Sequence, residues 1–183
     1  RAVVAACATG VAFAACVSGA GEGLAPRVAD EATSYAVQRL AVDSLFNGRE
    51  HASRLVLWAS DAGDGPVFEA LDSLIPKRTT PRAIDAARLG GSLPSRVMTE
   101  AALAELFRQN PDGWAAFFRE NPAAAGLVEL SPVRVSPDGR TATTYVGRSC
   151  GEHCRNAWVL TARRQASGPW TIAKLQWLRV PGA

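Results

Sequence analysis

Between Gly126 and Val180 the chain reads as four extended, β-rich segments separated by short connections. The segments run from Leu127 to Val135, Thr141 to Arg148, Asn156 to Arg163 and Trp170 to Val180. Strands so closely joined have few partners other than each other, and short turns dictate antiparallel pairing. Ser136-Pro-Asp-Gly139 is a turn with a mechanism, since Pro presets φ and Gly supplies a positive φ. Ala166-Ser-Gly-Pro169 is a looser connection. In the last segment Trp170, Ile172, Leu178 and Val180 share one alternation phase, and Leu175 and Trp177 take the other. That strand is expected to be covered on both faces. A four-stranded antiparallel meander is therefore predicted for the C-terminal part.

The preceding residues read as helical. From Asp30 to Phe46, Ala36, Val37, Leu40, Ala41 and Leu45 recur at helical spacing, and Asn47-Gly48 ends the run. Arg54 to Ser60 reads as a short buried strand, Asp61 to Pro66 as a loop, and Val67 to Leu74 as a short helix. Pro76 to Pro94 is the least regular stretch, with a basic character from Lys77, Arg78, Arg82 and Arg88. Thr99 is placed to cap a helix from Glu100 to Gln109. Asn110-Pro111 predicts a further helix start, with Trp114, Phe117 and Phe118 on one face. The expected class is α+β, with the helices packed on one face of the C-terminal sheet.

The opening of the chain points to a membrane. No charged residue occurs from Ala2 to Gly21, and a helix of that length spans about 30 Å, the thickness of a hydrocarbon core. Three readings compete: a cleaved export signal, a lipoprotein signal and a retained anchor helix. Phe13-Ala-Ala-Cys16 is an imperfect lipobox that makes Cys16 the candidate for lipidation, and Val4-Ala-Ala-Cys7 is a closer match placed very early. The run is rich in Ala, Gly, Val, Ser and Thr, with one Phe and no Leu or Ile. Its small faces, such as Ala8, Ala12 and Ala15, suit packing against other membrane helices. The favoured expectation is an anchor and linker over 1–23, packed within a membrane assembly. An α+β domain over 24–183 would then lie on the outer side, since Arg1 stays inside.

Composition excludes several classes. An apolar fraction of 48% and a charged fraction of 20% are those of a folded protein. A net charge of +3 gives no argument for nucleic acid. A hydrolase triad needs His beside a nucleophile, with a carboxylate behind it. His51 sits at a helix exit and His153 beside Glu152, and neither has such company in sequence. Nucleophile elbows, phosphate-binding loops and metalloprotease motifs do not occur. Asp61-Ala-Gly-Asp64-Gly is faintly like a calcium loop, but the residue twelve on is Asp72 inside a predicted helix. Asp61 and Glu69 are a candidate acid–base pair that nothing in the sequence brings together. Trp58, Trp114, Phe117 and Trp177 are read as core rather than as a ligand cage. No catalytic, cofactor or metal residue is assigned.

Cys150 and Cys154 flank Gly-Glu-His at a predicted hairpin end, where Cβ atoms reach disulfide distance. In an oxidising compartment a bridge is the default. Two other readings stay open: a metal site of Cys150, His153 and Cys154 completed by a fourth ligand, and a redox dithiol.

The block from Trp114 to Leu178 resembles a family of uncharacterised proteins and lipoproteins of the bacterial envelope. The resemblance rests on Trp114, Phe117 and Phe118, on Gly126 to Ser131 with its Leu130-Ser131 pair, and on Tyr145-Val146-Gly147. Cys150-Gly151, Cys154, Trp170 and Trp177 complete it. Arg155, and Arg134-Val135 after Pro132-Val133, depart from the pattern. The resemblance implies an extracytoplasmic fold and no particular activity. The expected function is a non-enzymatic, membrane-tethered envelope protein, an accessory subunit beside other membrane proteins. The alternative is a periplasmic or lipoprotein ligand-binding module, with a pocket near Trp58 or Trp114.

Overall fold

The computed structural model describes residues 25–47, 53–63, 65–69, 71, 75, 80, 82–89 and 91–180. Its elements are β1 (Arg27–Val28), α1 (Glu31–Phe46), β2 (Arg54–Trp58), α2 (Pro66–Glu69), α3 (Ala86–Leu89) and β3 (Ser95–Met98). Then come α4 (Glu100–Gln109), α5 (Trp114–Glu120), β4 (Ala124–Leu130), β5 (Arg134–Val135), β6 (Thr141–Gly151), β7 (Cys154–Arg163) and β8 (Thr171–Leu178). Among the described residues they form one mixed sheet of eight strands.

This corrects the expected four-stranded meander. β6, β7 and β8 do pair antiparallel in succession. Beyond them β4 pairs antiparallel with β6 and parallel with β2, which is parallel to β3. The segment read as one strand from Leu127 to Val135 is two, because Ser131 to Val133 leave the ladder and β5 rejoins β6 at Thr143. The parallel part escaped the sequence reading because its pairs are distant in the chain, joined through α2, α3, α4 and α5. The expected membrane-crossing helix is not among the described helices, none of which is long and apolar enough to span a bilayer. The 1–23 segment, with Cys7 and Cys16, lies outside the described residues.

Local signals explain the helices. The Asp30 carboxylate accepts the Thr33 N–H at 2.7 Å and caps α1, and the Thr99 hydroxyl accepts the Ala102 N–H at 3.2 Å and caps α4. The helix expected from Pro111 begins three residues later, at Trp114, with Gly113 in its N-cap position at φ +32°. Pro111 to Gly113 form a turn instead.

Strand composition encodes which parts of the sheet are covered. β2 (RLVLW) and β4 (AAGLVEL) are nearly continuous apolar runs buried on both faces. Leu55, Leu57 and Val128 face α1, whereas Val56, Trp58 and Leu127 face Leu103 and Leu106 of α4 and Phe117 of α5. β6 instead alternates: Ala142, Thr144 and Val146 are buried, Thr141, Thr143 and Tyr145 half-buried. The former set lies on the α1 face, together with Leu160 and Ala162 of β7. The latter set lies on the opposite face, which is open beyond α2. Helices thus pack on both faces at the β2–β4 end, whereas at the β6–β8 end α1 covers one face and α2 covers only the Gly147–Ala157 part of the other, so the expectation of helices on one face is overturned.

Glycine permits two close approaches. At Gly126 (φ +115°) a Cβ would lie 2.4 Å from the Ser149 carbonyl oxygen of β6. At Gly147 it would lie 3.0 Å from Cβ of Val67, where α2 rests on the sheet.

Candidate functional site

The hairpin of β6 and β7 carries the first candidate. Its strands pair from Thr141–Arg163 to Gly151–Cys154 with a bulge before the end, and Glu152-His153 turn the chain. This brings the Cα atoms of Cys150 and Cys154 to 5.0 Å, and their sulfurs are bonded. In that state neither sulfur is a thiolate ligand for a metal. The Asn156 amide donates to Cys150 Sγ at 3.9 Å. Closing so short a loop contributes about 2 kcal/mol. Its geometric effect is to hold Glu152 and Arg155 facing the α4–α5 turn. There an open cleft of about 520 Å³ is lined by Phe107, Pro111, Asp112, Gly113, Trp114, Glu152 and Arg155. Trp114 stacks edge-on against Phe107 at 5.4 Å between centroids. The Arg119 guanidinium hydrogen-bonds Asp112 and holds its carboxyl below the usual range.

β8 is the second candidate. Within the described sheet it pairs only with β7, so its other edge presents unpaired backbone groups. Contrary to the expectation of cover on both faces, most of the strand is exposed, with Trp177 57% and Ile172 41% accessible. Register places Trp177 opposite Trp158, Leu175 opposite Leu160 and Ile172 opposite Ala162, all on the α1 face. The helix does not extend over this edge. Trp177 is therefore not core. Trp58 and Phe117 are buried, and Trp114 packs against them half-buried.

The acidic candidate Asp61 is engaged elsewhere. Asp61 is fully buried and paired with Arg82, its Oδ2 accepting from Arg82 Nε at 3.0 Å. Arg82 Nη2 donates to Gln38 Oε1 at 2.7 Å, and Gln38 Nε2 donates to the Ser131 carbonyl at 3.0 Å. The guanidinium groups of Arg82 and Arg88 each lie over the Tyr35 ring, 4.4 and 4.6 Å from its centroid. This chain of contacts ties α1 to the segments before α3 and after β4; it holds the fold and leaves no open face on Asp61. Asp64, Asp72, His51 and the Glu69 side chain lie outside the described residues. His153 is exposed at the hairpin turn. No group of three metal-ligating side chains occurs among the described residues.

Sequence reasoning missed Glu129. Its buried carboxylate accepts the N–H groups of Val67 and Phe68, at 2.9 and 3.1 Å, and anchors the start of α2. A lone carboxylate inside the apolar run Leu127-Val-Glu-Leu130 was the available signal, because such a group is buried only with partners.

Comparison of the chain with models of protein families, with curated proteins and with solved structures found no match.

Proposed function

We propose that this protein is a non-catalytic accessory subunit of the bacterial envelope that holds a partner polypeptide along β8. The carrying observation is the exposed edge bearing Trp177 and Ile172. Large apolar side chains at 57% and 41% exposure beside an unpaired strand edge suit an added strand from a partner. Trp is also the residue type most enriched at interface hot spots. The Cys150–Cys154 bridge suits an oxidising compartment. The test is site-specific photocrosslinking from position 177 in the source cells. A discrete adduct with one partner, lost when Ile172→Lys is added, is the expected result. No adduct from 177, or an adduct unaffected by Ile172→Lys, counts against it. Alkylation without reductant in the same cells tests the compartment, since two modified thiols at 150 and 154 contradict an envelope location.

A second reading, a ligand-binding module, is favoured by the 520 Å³ cleft beside Trp114. It predicts that a small ligand raises the unfolding temperature of the wild type but not of Trp114→Ala.

A further inference from the structure

The net charge of +3 conceals an uneven distribution. Residues 131–183 hold eight bases and only two acids, Asp138 and Glu152, a net of six positive charges. Residues 1–130 hold fifteen acids against twelve bases. The basic stretch is the half of the sheet whose second face is covered by α2 only around Gly147 and Ala157 and is open beyond.

Register places three of the eight bases on that face. Arg134 pairs with Thr143 across β5 and β6, Thr143 with Thr161, and Thr161 with Lys174, so these four share one row on one face. Thr141 pairs with Arg163 and Arg163 with Thr171 in the next row on the same face. Two depressions lie there side by side and share Thr141. The larger, about 560 Å³, includes Arg134, Ser136, Thr143 and Tyr145. The smaller, about 340 Å³, includes Arg140, Arg163 and Arg164. Among the described residues the side chains of Arg134, Arg163 and Lys174 have no hydrogen bond or ion pair. The Thr141, Thr143 and Tyr145 hydroxyls likewise have none. From strand spacing and rise, Arg134 and Arg163 stand about 12 Å apart at Cα.

We infer that this face binds an extended polyanion that also carries hydroxyl groups, of the polyol-phosphate or sugar-phosphate class. Free guanidinium groups at both ends of the two depressions match repeated anionic groups, because Arg pairs with phosphate in a bidentate fork. The unpaired hydroxyl row between them matches a ligand with hydroxyls of its own. An acidic peptide fits less well: β6 is paired along both edges and offers no backbone ladder to join. A bilayer fits less well because the exposed Ile172 and Trp177 lie on the other face. A nucleic acid needs stacking platforms, and here Tyr145 is half-buried while the Trp170 ring is covered by Arg164 at 4.6 Å. The site is separate from the proposed partner edge, and either assignment stands without the other.

The test is titration of the full chain with poly(glycerol phosphate) at low salt. Poly-glutamate, a single-stranded DNA oligonucleotide and phosphatidylglycerol vesicles serve as competitors of other classes, and inorganic polyphosphate as an anion without hydroxyls. Saturable binding that weakens steeply with salt is expected. Arg134→Gln and Arg163→Gln should each weaken it about tenfold. Arg96→Gln removes the same charge at the far sheet edge and should change it less than about twofold. Thr143→Val with Tyr145→Phe should weaken poly(glycerol phosphate) but not polyphosphate. Absence of binding, indifference to Arg134→Gln, equal loss with Arg96→Gln, or tighter binding of peptide, DNA or vesicles overturns the inference.

Discussion

At the scale of single residues, what holds this protein is a small set of groups with no substitute. Gly126 has φ +115° and no room for a Cβ against the Ser149 carbonyl. Gly126→Ala should therefore cost about 2 kcal/mol or more, read by denaturant unfolding. Arg82 lies 2.9 Å from the fully buried Asp61, so Arg82→Met removes its cation inside the protein and should cost about 3 kcal/mol. Loss of less than about 1 kcal/mol would show that the pair is solvated. Asp30 adds a pH dependence. The Thr33 backbone and side-chain hydrogen bonds hold its carboxyl below the ordinary 3.8. The cap's charged form therefore contributes stability above about pH 4, and this is lost as pH falls through the lowered folded value. Asp30→Ala should cost about 1 kcal/mol at neutral pH, and its difference from wild type should shrink in acid. These residues differ in legibility. Thr99 stood directly before a helical run and was readable as a cap. Arg82 and Asp61 are 21 positions apart, and nothing local announces that they meet.

At the scale of elements, the β6–β7 hairpin and β8 behave oppositely. The hairpin is paired on both sides and stapled at its tip. Reduction of Cys150–Cys154 should lower stability by about 2 kcal/mol, or roughly 4–8 °C in Tm for a domain this size, without unfolding it. An unchanged Tm after complete reduction would mean that the hairpin is fixed by strand pairing alone. β8 makes no comparable contribution through its exposed side chains. Trp177→Ser should change stability little, because the ring already faces water, whereas Phe117→Ala should cost about 3–5 kcal/mol. The strand itself was legible as an alternating segment. Its exposure was not, because alternation states that two faces differ and leaves open whether anything lies against them. The start of α5 was misread for a related reason: Asn110-Pro111 is a valid helix start in isolation, but the chain turns there before Trp114 enters the core.

At the scale of the whole molecule, one sheet is covered unequally, and amide exchange should follow the cover. The slowest amides are expected in β2, β4 and β6, and among β2, β4, β6, β7 and β8 the fastest in β8. Equal protection of β8 and β4 would mean that something masks the free edge. The residues from Thr141 onward announced their antiparallel pairing because short turns leave such strands no other nearby partner. The positions of α1 and α4 and the cysteine bridge were readable for the same reason: caps, periodicity and hairpin spacing act over a few residues, whereas α3 fell in a stretch read as irregular. The parallel joining of β2, β3 and β4, the burial of Glu129, and the gathering of free cations on one open face arise between segments tens of residues apart. Their energies depend on contacts that exist only once the sheet has closed, so tertiary packing alone decided them.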